Sequence, residues 1–179
     1  MHIDITKRKG ERVEFSDASL TRIKELRANL PEGKHKSAII QVLHMAQSEL
    51  GGWLSIETMD YVAEVLDITP IEVYEVATFY TMFHLDKTGK YVLEVCRTGP
   101  CMLVGSDKLI EHIENKLNIK VGETTADEMF TLKTVECLGA CGYGPMLQCQ
   151  YKNYEFLTPE KVDDLLQAMR NGNLETYQP

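Results

Sequence analysis

The chain has 179 residues, 44% of them hydrophobic, which is enough for one ordinary core or two small ones. Its 27 acidic against 19 basic side chains give a net charge of −8, which argues against nonspecific nucleic-acid binding because neutralising phosphates takes clustered Lys and Arg. No run approaches the roughly 18 apolar residues of a membrane-spanning helix, and the polar opening MHIDITKRKGERVEF lacks the apolar stretch of a secretory signal. A cytoplasmic chain is expected, in which five cysteines point to metal or redox chemistry rather than to disulfides.

Residues 1–15, with Lys7, Arg8, Lys9 and Gly10, offer no apolar face and read as a loosely held N-terminal arm. Order is expected from Ser16. Leu20, Ile23, Leu26 and Leu30 recur at helical spacing behind the cap candidates Ser16 and Asp17, and Pro31 with Gly33 ends the run. A second helix fits Ser37 to Leu50, with Ile39, Ile40, Leu43, His44 and Ala46 on its apolar side and Gly51-Gly52 as its stop. His44 reads as a packing residue rather than a ligand. Ser55 caps a third helix running to Leu66, whose inner side is Met59, Val62, Ala63 and Leu66. Thr69-Pro70-Ile71-Glu72 is a capping box that opens a fourth. Its body, VYEVATFYTMF, keeps only a narrow polar strip through Glu72 and Glu75, so burial on most sides is expected, inside the helical unit or against another subunit.

After Lys87-Thr88-Gly89-Lys90 the period changes. Tyr91 to Val95 read as a strand delivering Cys96, and Cys101 to Lys116 as one helix with Leu103, Leu109, Ile110, Ile113 and Leu117 inward. Ile119 to Val121 suggest a short strand, and Phe130 to Glu136 a firmer one leading to Cys137. Met146 to Tyr151 and Tyr154 to Leu157 form a hairpin through Lys152-Asn153, and Thr158-Pro159-Glu160 starts a last helix with the stripe Val162, Leu165, Leu166 and Met169. The fold class is α+β. A helical bundle of about four helices over residues 16–88 precedes a thioredoxin-like domain over residues 89–179. Pro145, beside Cys141, stands where such folds often keep a cis proline, and the sequence leaves cis and trans both open. Cys149, with Leu147 and Tyr151 on its face, reads as a buried small hydrophobe.

Four of the five cysteines form two pairs, CRTGPC and CLGAC, with 35 residues between them. Thiolate is a soft donor suited to iron–sulfur clusters, zinc or Cu(I). C-x₄-C opens plant-type ferredoxins, whereas C-x₂₋₄-C is usual for structural zinc, so the spacing leans to an iron–sulfur cluster and leaves a zinc-binding assembly module open. Gly99, Gly139, Gly142 and Gly144 let backbone N–H groups approach a bulky ligand. Those amides, the start of a helix following Cys101, Arg97 and Thr98 are the candidate tuners of its potential. Thiol–disulfide exchange normally uses C-x-x-C, and CRTGPC inserts two further residues. Neither GxGxxG after a strand nor GxxxxGK[ST] occurs, so no NADH or FMN site of its own is expected.

VYEVATFYTMF, VCRTGPCML, KLNIKVGETTADEMFTL, VECLGAC and FLTPE, spread over residues 15–170, follow in the order of a known family. The chain resembles the E-type subunit of NADH-quinone oxidoreductase, respiratory complex I. The resemblance implies one [2Fe–2S] cluster on the thioredoxin-like domain, held by Cys96, Cys101, Cys137 and Cys141, with no catalytic residue in this chain. It implies an electron-transfer subunit of an oxidoreductase that exchanges single electrons with the FMN of a partner flavoprotein of the F type. That partner also carries the NADH site, and a large iron–sulfur subunit of the G type lies nearby. The implied place is the cytoplasmic side of a bacterial inner membrane, reached through partner subunits rather than by direct insertion. Equivalent diaphorase subunits serve NAD-linked hydrogenases and formate dehydrogenases, which is the alternative. GYGP departs from the family, in which many members carry a residue other than glycine before the proline.

Overall fold

A computed structural model describes residues 14–173. They fall into two compact units divided between Lys87 and Thr88. The first is helical: α1 spans Asp17–Ala28, α2 Ile39–Glu49, α3 Ile56–Leu66 and α4 Pro70–Phe79, with a 3₁₀ turn His35–Ala38 leading into α2. Local chemistry sets the starts. The Ser16 and Ser55 hydroxyls accept from Ser19 N–H and Thr58 N–H, and the Glu72 carboxylate accepts from Thr69 N–H at 3.1 Å and Thr69 Oγ1 at 2.9 Å. Ile23, Val42, Leu43, Ala46, Leu54, Val62, Leu66 and Val73 are sealed in one core. Buried Gln47 closes it, its amide donating to Met82 O at 3.0 Å and accepting from His84 N–H at 2.7 Å.

Two expectations for this unit change. Order reaches back to Phe15, which is buried against Tyr61 with ring centroids 5.4 Å apart; residues 1–13 of the expected arm lie outside the described residues. The fourth helix stops at Phe79, and only Val73 and Ala77 of α4 are buried. Ile71, Phe79 and Tyr80 are exposed, Phe79 at 76%. The unit therefore does not surround this helix, because α4 has core neighbours on one side alone.

The second unit is a four-stranded sheet with helices against one face. Its strands are β1 Tyr91–Cys96, β2 Phe130–Val135, β3 Leu147–Cys149 and β4 Lys152–Tyr154, in the order β2-β1-β3-β4. β1 and β2 run parallel from Tyr91↔Phe130 to Cys96↔Val135, and β1–β3 and β3–β4 are antiparallel. Leu93, Val95, Phe130, Leu132 and Leu147 meet Leu109 and Ile113 of α6 (Ser106–Leu117) and Val162, Leu165 and Met169 of α7 (Pro159–Arg170). The Thr158 hydroxyl caps α7 by accepting from Lys161 N–H at 3.3 Å.

The expected single helix after the first cysteine loop is two: α5, Gly99–Leu103, precedes α6. Gly105 breaks them at a φ of 104°, a conformation open to glycine, and Leu103 is turned out to 89% exposure instead of inward. Residues 119–121 form no strand; an isolated bridge joins Thr124 to Thr131 instead. The hairpin turns at Gln150-Tyr151, both at positive φ, rather than at Lys152-Asn153, which leaves Tyr151 exposed and not beside Cys149. Gly144-Pro145 is a cis peptide. Among the described residues no helix is long and apolar enough to cross a membrane.

Candidate metal centre

Both cysteine pairs belong to the second unit. β1 ends on Cys96 in register with Val135, the last residue of its parallel neighbour, so the two cysteine loops leave the sheet side by side. Cys96 N–H donates to Met146 O at 3.2 Å and Arg97 N–H to Val135 O at 3.1 Å, which ties the first loop to both flanking segments. Thr98 then stands at the N-cap position of α5 without a side-chain capping bond, and Cys101 is the helix's third residue. The helix thus starts before Cys101 rather than after it. Cys96 and Cys101 are 2% and 1% exposed and pack with Met146, Leu138 and Ala140. Cys137 and Cys141, on the loop after β2, are exposed.

Sulfur geometry bears on what this loop can hold. Cys137 Sγ and Cys141 Sγ are 3.7 Å apart. A disulfide needs about 2.05 Å, whereas two thiolates bonded at about 2.3 Å to one tetrahedral metal stand roughly 3.8 Å apart. All five cysteines are free thiols. The pairs also influence each other. Cys101 is pushed up to about 11, first by burial, then by its hydrogen bond with Cys96, then by the charges of Cys96, Cys141 and Cys137. Cys141 is raised chiefly by its hydrogen bond with Cys137 and by the charge there. Thiols that hinder one another's ionisation become compatible when a cationic centre lies among them, so the donor set fits an iron–sulfur core. Among the described residues no three His, Cys, Asp or Glu side chains are gathered as ligands of a single ion; the thiols form two pairs.

Hydrogen-bond donors are aimed at the sulfurs. Burial pushes the Cys96 thiol up, but hydrogen bonds from the Thr98 hydroxyl and amide, the Leu138 amide and Cys101 outweigh it, so the net shift is downward. The Thr98 Oγ1 contact is 3.4 Å, and Gly139 N–H donates to Cys137 Sγ at 3.3 Å. Of the expected tuners, Thr98 and the loop amides reach sulfur, whereas the amide of exposed Arg97 is bound to Val135. Leu138 and Met146 were not legible as site residues. Leu138 sits inside CLGAC, and its position between two candidate ligands was the available signal. Cys149 lies in the sheet–helix core, where burial and then the charge of Glu94 push its thiol up to about 12. Half-buried His44, in the first unit, packs on Phe83 with ring centroids 5.0 Å apart, and burial lowers its pKa.

The model of the thioredoxin-like [2Fe–2S] ferredoxin family matches residues 23–170. The chain belongs to that family. Membership brings one [2Fe–2S] cluster as the cofactor, and relatives support the resemblance read from the motifs. The chain is similar to the NADH-quinone oxidoreductase E subunit of Rickettsia conorii, 43% identical over 157 residues that cover 88% of this chain and 94% of the relative. It is 48% identical over 141 residues to the protein of the same name from Rickettsia felis, covering 79% and 84%. NADH dehydrogenase [ubiquinone] flavoprotein 2, mitochondrial, of Dictyostelium discoideum is 43% identical over 89% of this chain and 64% of its own length. Among solved structures, a chain of an air-oxidised NAD+-reducing [NiFe]-hydrogenase superposes with a TM-score of 0.69 at 18% identity, over 84% of this chain. That likeness is one of fold, and this chain spans about a quarter of the hydrogenase polypeptide, 26% of it.

Proposed function

We propose that this ferredoxin is the electron-transferring subunit of the NADH-oxidising module of respiratory complex I, and that Cys96, Cys101, Cys137 and Cys141 hold its [2Fe–2S] cluster. When bound, the cluster supplies a site that takes up and gives back one electron at a time. The chain's own residues set how that site behaves. Cys96 and Cys101 grip it from the protein interior, with Met146, Leu138 and Ala140 excluding water behind them. Cys137 and Cys141 face outward and leave that side open to a partner. Thr98 Oγ1 and the Gly139 N–H, donating to sulfur, favour the more negative reduced state. Where the electrons come from NADH as hydride, a group that splits them into single electrons has to stand before such a site, and the FMN of an F-type flavoprotein is the natural one. A large iron–sulfur subunit of the G type completes the proposed surroundings, placed against the cytoplasmic face of the membrane through other subunits.

The observation that carries this reading is that two loops far apart in sequence meet: Leu138 and Ala140, from between Cys137 and Cys141, pack on Cys96 and Cys101, and the Cys137 and Cys141 sulfurs stand 3.7 Å apart. Its test is the protein purified without oxygen. About two iron and two acid-labile sulfide per chain are expected, with a paramagnetic signal on one-electron reduction; a colourless zinc protein would refute it. Relatives that bear the E-type name match over nearly their whole length, which favours complex I over a soluble hydrogenase or formate dehydrogenase assembly. Co-purification with membrane subunits is the expected outcome, and recovery with a soluble hydrogenase alone would reverse that choice.

A further inference from the structure

The turn that carries Cys141 has few side chains with which to hold itself. Gly142, Tyr143 and Gly144 alone separate Cys141 from Pro145, and Cys141–Tyr143 form a 3₁₀ turn. Gly144 lies so close to α5 that a Cβ there would meet Val104 Cγ2 at 3.0 Å and Cys101 Sγ at 3.2 Å. No bracing side chain fits at that position without displacing a neighbour. Tyr143 is left as the turn's single large side chain. Its ring stands edge-on to that of Phe156, with centroids 5.6 Å apart and planes at 64°. Backbone bonds parallel this contact: Phe156 N–H donates to Tyr143 O at 2.8 Å and Leu157 N–H to Pro145 O at 2.9 Å. Phe156 adopts a φ of 48°, a left-handed conformation that a large non-glycine residue holds only where its surroundings fix it. Burial does not explain the pair, since Tyr143 and Phe156 are 51% and 53% exposed.

We propose that Phe156 is a positioning residue for Cys141. Its ring and its N–H lock Tyr143, and through Tyr143 the 3₁₀ turn, so that the Cys141 thiolate stays directed at the cluster. The proposal rests on the reading of Cys141 as a ligand. The buried pair needs no such device, because Met146, Leu138 and Ala140 already enclose it. Opening of the Cys141 turn is then the route by which the cluster is released, and the aromatic pair sets how often that opening occurs.

Chelator-driven bleaching of the full-length, cluster-loaded chain, followed by visible absorbance and iron release, tests this. Phe156→Ala and Tyr143→Ala should each lose the cluster roughly two- to tenfold faster, the range expected for a lost aromatic pair. The double variant should be no faster than the faster single one, because both remove the same contact. Phe156→Tyr, which keeps the ring, should bleach at the wild-type rate, a rescue that a general loosening of the domain would not give. Should Phe156→Ala not fold, Tyr143→Ala at the exposed end makes the same measurement. Equal rates in wild type and Tyr143→Ala, with the cluster present, overturn the proposal alone, as does an additive double variant. A wild-type chain that takes up no iron and sulfide overturns the ligand reading and the proposal with it.

Discussion

The two cysteine loops deliver the same donor by different means. In the first, Cys96 closes a central strand, Cys101 sits in a short helix, and both thiols are packed as small hydrophobes would be. In the second, Cys137 and Cys141 are exposed, and local contacts hold them: Gly139 N–H on Cys137 and the Tyr143–Phe156 rings beside Cys141. The contrast separates two properties that ligation usually joins. The first loop keeps its thiols inside the packing, whereas the second packs Leu138 and Ala140 against it and leaves both its thiols at the surface.

Ligand replacement should split the loops most sharply. Serine at Cys96, Cys101, Cys137 or Cys141 is expected to abolish or destabilise the cluster, read from the visible spectrum and iron content. The metal-free variants should then differ. Cys101→Ser buries a hydroxyl among Cys96, Met146 and Leu138 and should cost roughly 1–3 kcal/mol in urea unfolding, while Cys137→Ser at the surface should stay within about 0.5 kcal/mol. Cys149→Ser is the control, destabilising the sheet–helix core but leaving the cluster spectrum intact. Equal unfolding costs for Cys101→Ser and Cys137→Ser would erase the distinction between the loops.

Cys149 also marks the buried extreme in its response to pH. Its thiol is raised from 9.0 to about 12, first by burial and then by the charge of Glu94. A raised folded-state value means the unfolded chain loses this proton first. The contribution is therefore fully present below pH 9 and is lost as pH rises from there toward about 12. Metal-free wild type should lose more stability across that window than Cys149→Ala does, and parallel curves for the two would contradict the burial assigned here. A smaller effect is expected at Thr98. Thr98→Val removes the hydroxyl 3.4 Å from Cys96 Sγ, a bond of about 0.5–1.5 kcal/mol that grows with negative charge on sulfur. The midpoint potential should fall by roughly 20–60 mV, and Thr98→Ser should restore most of it.

Signals confined to a few neighbouring residues were legible. Ser16, Ser55, Thr69 and Thr158 each announced a helix start, because capping needs only an oxygen and an amide within one turn. The break between α5 and α6 was not, since Leu103 and Ile110, seven residues apart, keep helical spacing across Gly105 and only the φ of 104° reveals the kink. The hairpin was misplaced for a similar reason. Lys152-Asn153 looks like a turn, but the chain turns at Gln150-Tyr151, which carries no glycine to signal positive φ. Spacing and glycine content drew attention to the four cysteines, yet not to the burial of one pair and the exposure of the other. That asymmetry depends on Met146 and Leu138 covering Cys96 and Cys101, a contact made only after the sheet assembles. The apolar body of α4 left two readings open, burial inside the helical unit or against another subunit, and the structure removes the first. Hydrophobic residues all around a helix show that burial is needed without showing what supplies it.

Gly144 brings the turn behind Cys141 up against the buried loop, and a single methyl there should test how tightly the two are fitted. An alanine Cβ would stand 3.0 Å from Val104 Cγ2 and 3.2 Å from Cys101 Sγ. Its backbone, at φ −72° and ψ 162°, suits alanine, so the unfolded chain loses freedom and folding gains about 0.4–1 kcal/mol. Against this stands the crowding, and its two neighbours differ in what they can yield. Val104 is exposed and can swing its methyl outward, whereas Cys101 is buried and fixed in α5. The first contact should therefore relax and the second persist, so Gly144→Ala is expected to change stability by less than about 1 kcal/mol while shifting the visible and paramagnetic spectra of the cluster. Val104→Ala in the same chain should leave that spectral shift in place. If it removes the shift, the crowding acts through the surface of α5, and the buried loop is less rigid than its packing implies.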